Sequence, residues 1–268
     1  MKQVSARVIS NATLTLQPHR SGNRILSSFQ LLWLSCPEIA SEAHPGQFTM
    51  VRCGEECILS RPFSIHQLNN KNDIALFFAV WKGGKGTNWL SQCSIGNTVE
   101  LLGPLGNGYS IKPSSNNILL LAGGVGIAPL CFLAQEAIRR ECSVILIQGA
   151  TKASRLYPNT LPTGLELVTL TDDGSSGKKG MVTDIIPEYV DWADQVFACG
   201  PGPMYRTMAK MPELRDKPVQ ISLEVRMGCG FGVCYGCTVK TKAGFKQVCK
   251  DGPIFSLDDI LWDEFVDI

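Results

Sequence analysis

Four cysteines constrain this chain more than any other feature. Cys229, Cys234 and Cys237 stand in a C-x4-C-x2-C spacing, and Cys249 follows twelve positions later. Two irons need four thiolates around them, three from one tight loop and a fourth from elsewhere, and this spacing is that of a plant-type [2Fe–2S] loop. Gly228, Gly230, Gly232 and Gly236 are interleaved with the ligands. They let backbone N–H groups approach the sulfurs. Structural zinc is the competing reading, since it also accepts four thiolates. Zinc ribbons, however, use two C-x2-C pairs, and only one occurs here.

The remaining cysteines argue about compartment. The chain has 11 in all, an odd number, so a complete set of internal disulfides would leave one thiol over. Met1–Ser10 has no apolar signal core, which points to a reducing, cytoplasmic setting. Cys36, Cys53, Cys57, Cys93, Cys131 and Cys142 are therefore expected as free thiols. The net charge of +1 argues against nucleic acid or a polybasic membrane surface as partner. The uncharged run 118–134 is long enough to brush a membrane span. Gly123, Gly124, Gly126 and Pro129 break it, so a strand, a turn and a helix start are expected instead.

Three segments are expected from the rhythm of the 268 residues. Residues 1–111 carry short apolar runs (29–34, 48–51, 74–80, 98–102) between turns, the pattern of an antiparallel β-barrel. After the polar linker KPSSNN, residues 112–217 alternate strands (118–122, 144–147, 165–170, 195–198) with a helix over 128–140, the pattern of a parallel α/β domain. Residues 218–268 form a small cysteine-bearing module. Its acidic tail reads as solvated, or else its apolar residues at 260, 261 and 265 form one helical face that docks on the body or a partner.

Two stretches of the first segment suit a phosphate-bearing cofactor. Arg61-Pro62-Phe63-Ser64 opens a strand with a guanidinium that can pair with a pyrophosphate. Lys82-Gly83-Gly84-Lys85-Gly86-Thr87 is a glycine-rich turn feeding a short helix over 88–91. Two further turns suit a dinucleotide. Gly123-Gly124-Val125-Gly126-Ile127-Ala128-Pro129 lies between a strand and a helix, as a phosphate turn requires, although Pro129 holds the place of the third glycine. Cys199-Gly200-Pro201-Gly202-Pro203-Met204 also follows a strand. It could wall a nicotinamide pocket, with Cys199 either a buried thiol or a participant. His19, His44 and His66 are isolated and read as surface or packing residues.

In this order the motifs resemble the ferredoxin–NAD(P) reductase superfamily. Ser222-Leu223-Glu224-x-Arg226-Met227-x-Cys229 through Cys237, Val248-Cys249-x-Asp251-Gly252-Pro253, Thr171-Asp172-Asp173-Gly174 and Gly180-x-Val182-Thr183-Asp184 are similar to the electron-transfer subunits of NAD-dependent dihydroorotate dehydrogenases. The resemblance implies FAD, a [2Fe–2S] cluster and NAD as cofactors, and an FMN-containing catalytic subunit as partner in a heterotetramer of two of each. Related subunits of sulfide dehydrogenase, hydrogenase or transhydrogenase complexes are the near alternative. The resemblance further implies that Arg61 meets the FAD pyrophosphate and that Phe63, Ala79, Val80 and Trp81 border the flavin. Gly86 and Thr87 would hold its phosphates. Ser64, near the reactive nitrogen, and Cys199 are the candidate catalytic residues. Gly123, Gly124, Gly126, Pro129, Gly200 and Pro201 would bind the nicotinamide dinucleotide. Trp81 stands where the family usually has Arg. Thr151–Arg155, after the second nucleotide-domain strand, holds no acid for a ribose 2′-hydroxyl, so NADP is the alternative to NAD.

Overall fold

The computed structural model describes residues 1–15, 19–21, 24–157 and 161–266. Strands β1 (Lys2–Thr15), β2 (His19–Ser21), β3 (Arg24–Ser35), β4 (Phe48–Val51), β5 (Arg61–Asn69), β6 (Asp73–Trp81) and β7 (Thr98–Leu105) form the first sheet. Its order is β1-β7-β4-β5-β6-β3-β2, and β1 also pairs with β3. That pairing closes six antiparallel strands into a barrel, which removes their exposed edges. Alternation fills the interior: along β7 every second residue from Val99 to Leu105 is buried. A short helix, α1 (Pro37–Ala40), covers one end, and α2 (Lys85–Ser91) follows β6 directly. Asn70 and Lys71, at φ 49° and 58°, make the expected tight turn between β5 and β6.

The second sheet contains β8 (Asn117–Gly123), β9 (Ser143–Ala150), β10 (Glu166–Thr171) and β11 (Lys178–Lys179), then β12 (Gln195–Cys199) and β13 (Val219–Ser222). The order β11-β10-β9-β8-β12-β13 is parallel throughout. Helices α3 (Ile127–Arg139), α4 (Ile186–Tyr189) and α5 (Gly202–Met208) supply crossovers. Leu119, Leu120 and Leu121 are fully buried, as expected for a central parallel strand covered on both faces. The charge-free run of residues 118–134 is thus β8, a turn and α3. Among the described residues no helix is long and apolar enough to cross a membrane.

Helix α3 joins the two halves. Phe132 packs into the barrel core, while Leu130 and Leu133 pack under the sheet. Its buried residues therefore run round more than one face, because two bodies press on it.

The C-terminal fifty residues are less separate than the sequence suggests. Strands β14 (Thr238–Thr241) and β15 (Gly244–Gln247) form a hairpin beside the one-turn helix α6 (Val248–Asp251). Strand β16 (Ile254–Ser256), however, pairs antiparallel with β13 and extends the large sheet. Both flanks of the cysteine loop are thereby anchored in the α/β sheet. The tail does dock, but without the expected helix. Ile260 bridges to Thr241, Trp262 stacks 5.5 Å from Tyr205, and Arg206 Nη2 donates to Phe265 O at 2.6 Å.

Candidate functional site

The barrel contributes strands β4 to β6. Their register places Arg61 opposite Val51, Pro62 opposite Met50 and Ser64 opposite Phe48. Phe63 is buried, edge-on to Phe78 at 5.2 Å. Arg61 is exposed, and its Nη1 donates to Leu59 O at 2.7 Å, which closes the preceding loop. Gly86, in the first turn of α2, lies against this arginine. A Cβ there would sit 3.4 Å from Arg61 Cγ and 3.2 Å from Cys53 Cβ. The two phosphate-type motifs, twenty-five residues apart, are thus brought together. Asn88 holds the turn by donating to Trp81 O (2.9 Å) and to Gly84 O. The helix begins at Lys85, three residues earlier than expected, and Thr87 lies in its first turn. Cys53 is buried beside it. Desolvation, then the neighbouring Cys57, pushes its thiol up to about 12, so it is inert.

The glycine turns after β8 and β12 meet at the point where the strand order reverses. In a doubly wound sheet this is where ligands bind. Contact is backbone to backbone. A Cβ on Gly126 would fall 2.0 Å from Cys199 O, and one on Gly200 would fall 3.3 Å from Gly123 Cα. Only glycine permits this approach. Pro129 lies buried in the first turn of α3. Beyond the turns opens a cleft of about 570 Å³, lined by Gly123, Gly124, Gly126, Gly200 and Pro201 on the sheet side and Leu26, Phe29 and Trp81 on the barrel side. Trp81 lines this cleft while its backbone carbonyl holds the turn before α2, and in β6 it follows the half-buried Ala79 and the buried Val80.

Cys199 lies beneath the cleft, nine-tenths buried. Desolvation first, then the charge of Glu224, pushes its thiol up to about 12, so it stays protonated. Glu224 remains open to the cleft, yet the protein packed round its carboxyl raises that group above the usual range. Sequence reasoning gave Glu224 no site role, and it found no acid for a ribose. The structure places an acidic residue at the cleft from the next strand over. Asp172, just past β10, lines the cleft beside Thr151 and Arg155. Its position at the carboxyl end of a parallel strand is the signal that could have found it.

The cysteine loop packs against the barrel at Met50 of β4 and Leu105 of β7. Gly230 and Gly232 take φ of 85° and 90°, and Tyr235 takes 58°. A Cβ on Gly228 or Gly236 would come 3.3 or 3.5 Å from Cys234 Sγ, so both glycines leave that sulfur uncovered. At Cys229 desolvation works to raise the thiol. The backbone N–H groups of Phe231, Cys234 and Val233 outweigh it and hold the thiol down at about 6. Cys249 N donates to Cys237 Sγ at 3.4 Å, which joins the fourth cysteine to the other three. Sulfurs ringed by backbone donors and by glycines fit an iron–sulfur cluster. Among the described residues no group of three or more His, Cys, Asp or Glu side chains is placed to hold a metal ion.

An antiparallel barrel with an Arg-Pro-Phe-Ser strand, a glycine-turn cleft at the sheet switch point and a four-thiol loop define a flavin- and iron–sulfur-dependent oxidoreductase of the ferredoxin reductase fold. Two family models match: the oxidoreductase FAD-binding domain over residues 21–109, and the iron–sulfur cluster binding domain of dihydroorotate dehydrogenase B over residues 224–261. Curated relatives named dihydroorotate dehydrogenase B (NAD(+)), electron transfer subunit, include one from Desulforamulus reducens, 40% identical over 85% of this chain and 90% of its own length. Another, from Clostridium acetobutylicum, is 38% identical over 83% and 88%. This chain belongs to that family of electron transfer subunits, and its cofactors are FAD, a [2Fe–2S] cluster and NAD. Among solved structures, an NADH-dependent reduced ferredoxin–NADP oxidoreductase superposes with a TM-score of 0.82 at 27% identity, over 97% of this chain and 90% of the other. A ferredoxin–NADP reductase from Neisseria gonorrhoeae shares the fold, with a TM-score of 0.62 at 16% identity over 79% and 92%.

Proposed function

We propose that the chain relays electrons between nicotinamide in the cleft and a separate FMN-containing catalytic subunit. FAD lies along β4–β6, and the cluster lies in the 229–249 loop. The observation that carries this reading is the position of the barrel strands. They meet the dinucleotide cleft through Trp81 and the cysteine loop through Met50, whose Cγ would lie 2.3 Å from a Cβ on Gly230. When bound, FAD supplies the exchange between two-electron chemistry at nicotinamide and one-electron chemistry at the cluster. The chain's own residues do the rest. Arg61 and the Gly86–Thr87 turn hold the flavin pyrophosphate. Phe63, Ala79, Val80 and Trp81 border the flavin, and Ser64 hydrogen-bonds its edge. Gly123, Gly124, Gly126, Pro129, Gly200 and Pro201 admit the dinucleotide. Cys199 walls the nicotinamide end as a neutral thiol. Cys229, Cys234, Cys237 and Cys249 ligate the iron.

The catalytic partner docks on the cysteine loop, where Val233, Tyr235 and the nearby Phe245 are 64%, 70% and 74% exposed. Two copies of each subunit form the complex, in the cytoplasm. In the test, the purified chain should oxidise NADH with an artificial acceptor and leave dihydroorotate untouched. Coexpression with the catalytic subunit should couple dihydroorotate to NAD. Tyr235→Glu should slow that coupled reaction more than NADH oxidation with a small acceptor. Equal loss in both assays would overturn the docking assignment, and dihydroorotate turnover by the chain alone would overturn the relay.

A further inference from the structure

Arg155 lines the cleft from the turn that follows β9. Its Nη1 donates to Thr151 Oγ1 at 3.1 Å. Its Nε and Nη2 are buried and have no hydrogen-bond partner. These two atoms form one edge of the guanidinium fork, and that edge matches two oxygens of a carboxylate or phosphate. Leaving a buried charged donor unpaired is unfavourable, and natural folds seldom do so without a function. Desolvation already lowers the Arg155 pKa, the direction expected of a cation without a counter-ion.

The segment that presents this edge is anchored. Two residues on, Tyr157 is buried and its hydroxyl meets His66 Nε2 at 2.8 Å, while His66 Nδ1 donates to Ala128 O at 2.9 Å. Ala128 O can only accept, so neutral His66 carries its proton on Nδ1 and receives the Tyr157 O–H on Nε2. The chain two residues beyond Arg155 is thereby anchored to the barrel strand β5.

Asp172 decides which anion arrives. It lines the same cleft, and among the described residues it forms no ion pair with Arg155. A 2′-phosphate placed there would meet a like charge, whereas a ribose hydroxyl would meet an acceptor. We propose that the Nε–Nη2 edge of Arg155 is a phosphate subsite of the dinucleotide cleft, taking two oxygens of the pyrophosphate while Asp172 receives the adenosine ribose. The assignment rests on the reading of the cleft as the NAD site.

The FAD-loaded chain, as wild type, Arg155→Gln and Arg155→Lys, is titrated calorimetrically with NAD+ and with NADP+, and flavin absorbance reports FAD content. Arg155→Gln should weaken both nucleotides by about ten- to hundredfold. Arg155→Lys should fall between, because it keeps the charge and loses the fork. It also keeps the test readable if the Gln variant does not fold. Weakening confined to NADP+ would overturn the pyrophosphate assignment in favour of a 2′-phosphate. Unchanged affinity for both would overturn the subsite itself. A wild-type chain that binds neither nucleotide would instead overturn the NAD reading of the cleft.

Discussion

Gly230 lies against Met50 so closely that a Cβ on the glycine would sit 2.3 Å from Met50 Cγ and 2.8 Å from its Sδ. Met50 pairs across β4–β5 with Pro62, inside the Arg61–Ser64 motif, so a single contact separates the cysteine loop from the flavin strands. Gly230→Ala adds a methyl group into this contact and requires φ of 85° from an L side chain. The expected effect is a loss of about 1–3 kcal/mol and a displaced loop. Thermal melts and iron content should both fall while FAD is retained. Combined with Met50→Ala, which itself opens a cavity in the core, the two losses should be less than additive, because the truncation relieves the clash but not the backbone strain. A stable Gly230→Ala protein with full iron content would contradict the contact.

Cys234 is the exposed member of the four thiols. Cys234→Ser replaces a soft thiolate by a harder oxygen and should remove or badly destabilise the [2Fe–2S] centre. FAD should stay bound, since Arg61 and Gly86 belong to the barrel. Iron and acid-labile sulfide assays beside the visible spectrum check this. Full retention of both would remove Cys234 from the ligand set.

Arg61→Ala should weaken FAD by roughly ten- to hundredfold, the equivalent of about 1.5–3 kcal/mol for a lost charge-assisted contact. Fluorescence titration of the apoprotein measures it. Since Arg61 also closes its own loop on Leu59 O, a thermal melt of the apo variant separates loop stability from flavin affinity.

Gly126→Ala places a methyl group 2.0 Å from Cys199 O, a backbone atom that cannot rotate away. The two nucleotide turns must separate. NADH oxidation with an artificial acceptor should show a raised KM at unchanged FAD content, and stability should fall by about 1–3 kcal/mol. A wild-type KM would mean that the turns are not the dinucleotide site.

His66 gives the protein a pH-dependent stability. Burial lowers its pKa from 6.5 to about 4, with the Ala128 hydrogen bond a smaller opposing influence. The unfolded chain takes up this proton near pH 6.5 and the folded chain only near pH 4, so stability rises with pH across that window. The contribution is complete above pH 6.5 and is lost as pH falls toward 4, on the order of 3 kcal/mol in total. Urea melts at pH 4.5, 5.5 and 7 should show this slope, and His66→Gln should flatten it.

Much of the fold was legible because its signals are local. The apolar run at residues 118–122 between polar breaks became β8, the run at 48–51 became β4, and Asn69–Asn72 became a turn. The C-x4-C-x2-C spacing and the Arg-Pro-Phe-Ser strand needed no tertiary information, since each motif carries its chemistry within a few residues. The C-terminal boundary was less legible. β16 is a three-residue strand, and its reason for existing is β13, some thirty residues earlier. The tail was misjudged for a related cause: residues 260, 261 and 265 have helical spacing, but Trp262 and Phe265 find their partners on α5, and that packing overrides periodicity.

The sequence by itself determined the ligand-bearing chemistry: four thiols in cluster spacing, an arginine at the head of a flavin-type strand, and glycines where backbone must approach backbone. Those properties belong to residue types and short spacings, and they survive without knowledge of distant neighbours. Only the tertiary structure decided how these parts face one another. It set Gly126 on Cys199, Gly230 on Met50 and Gly86 on Arg61, and it brought Asp172, just past β10, to the cleft that Arg155 also lines. It also left one edge of Arg155 buried without a partner. The physical reason is that close approach, desolvation and an unpaired donor depend on atoms far apart in the chain, and strand order and helix packing alone bring those atoms together.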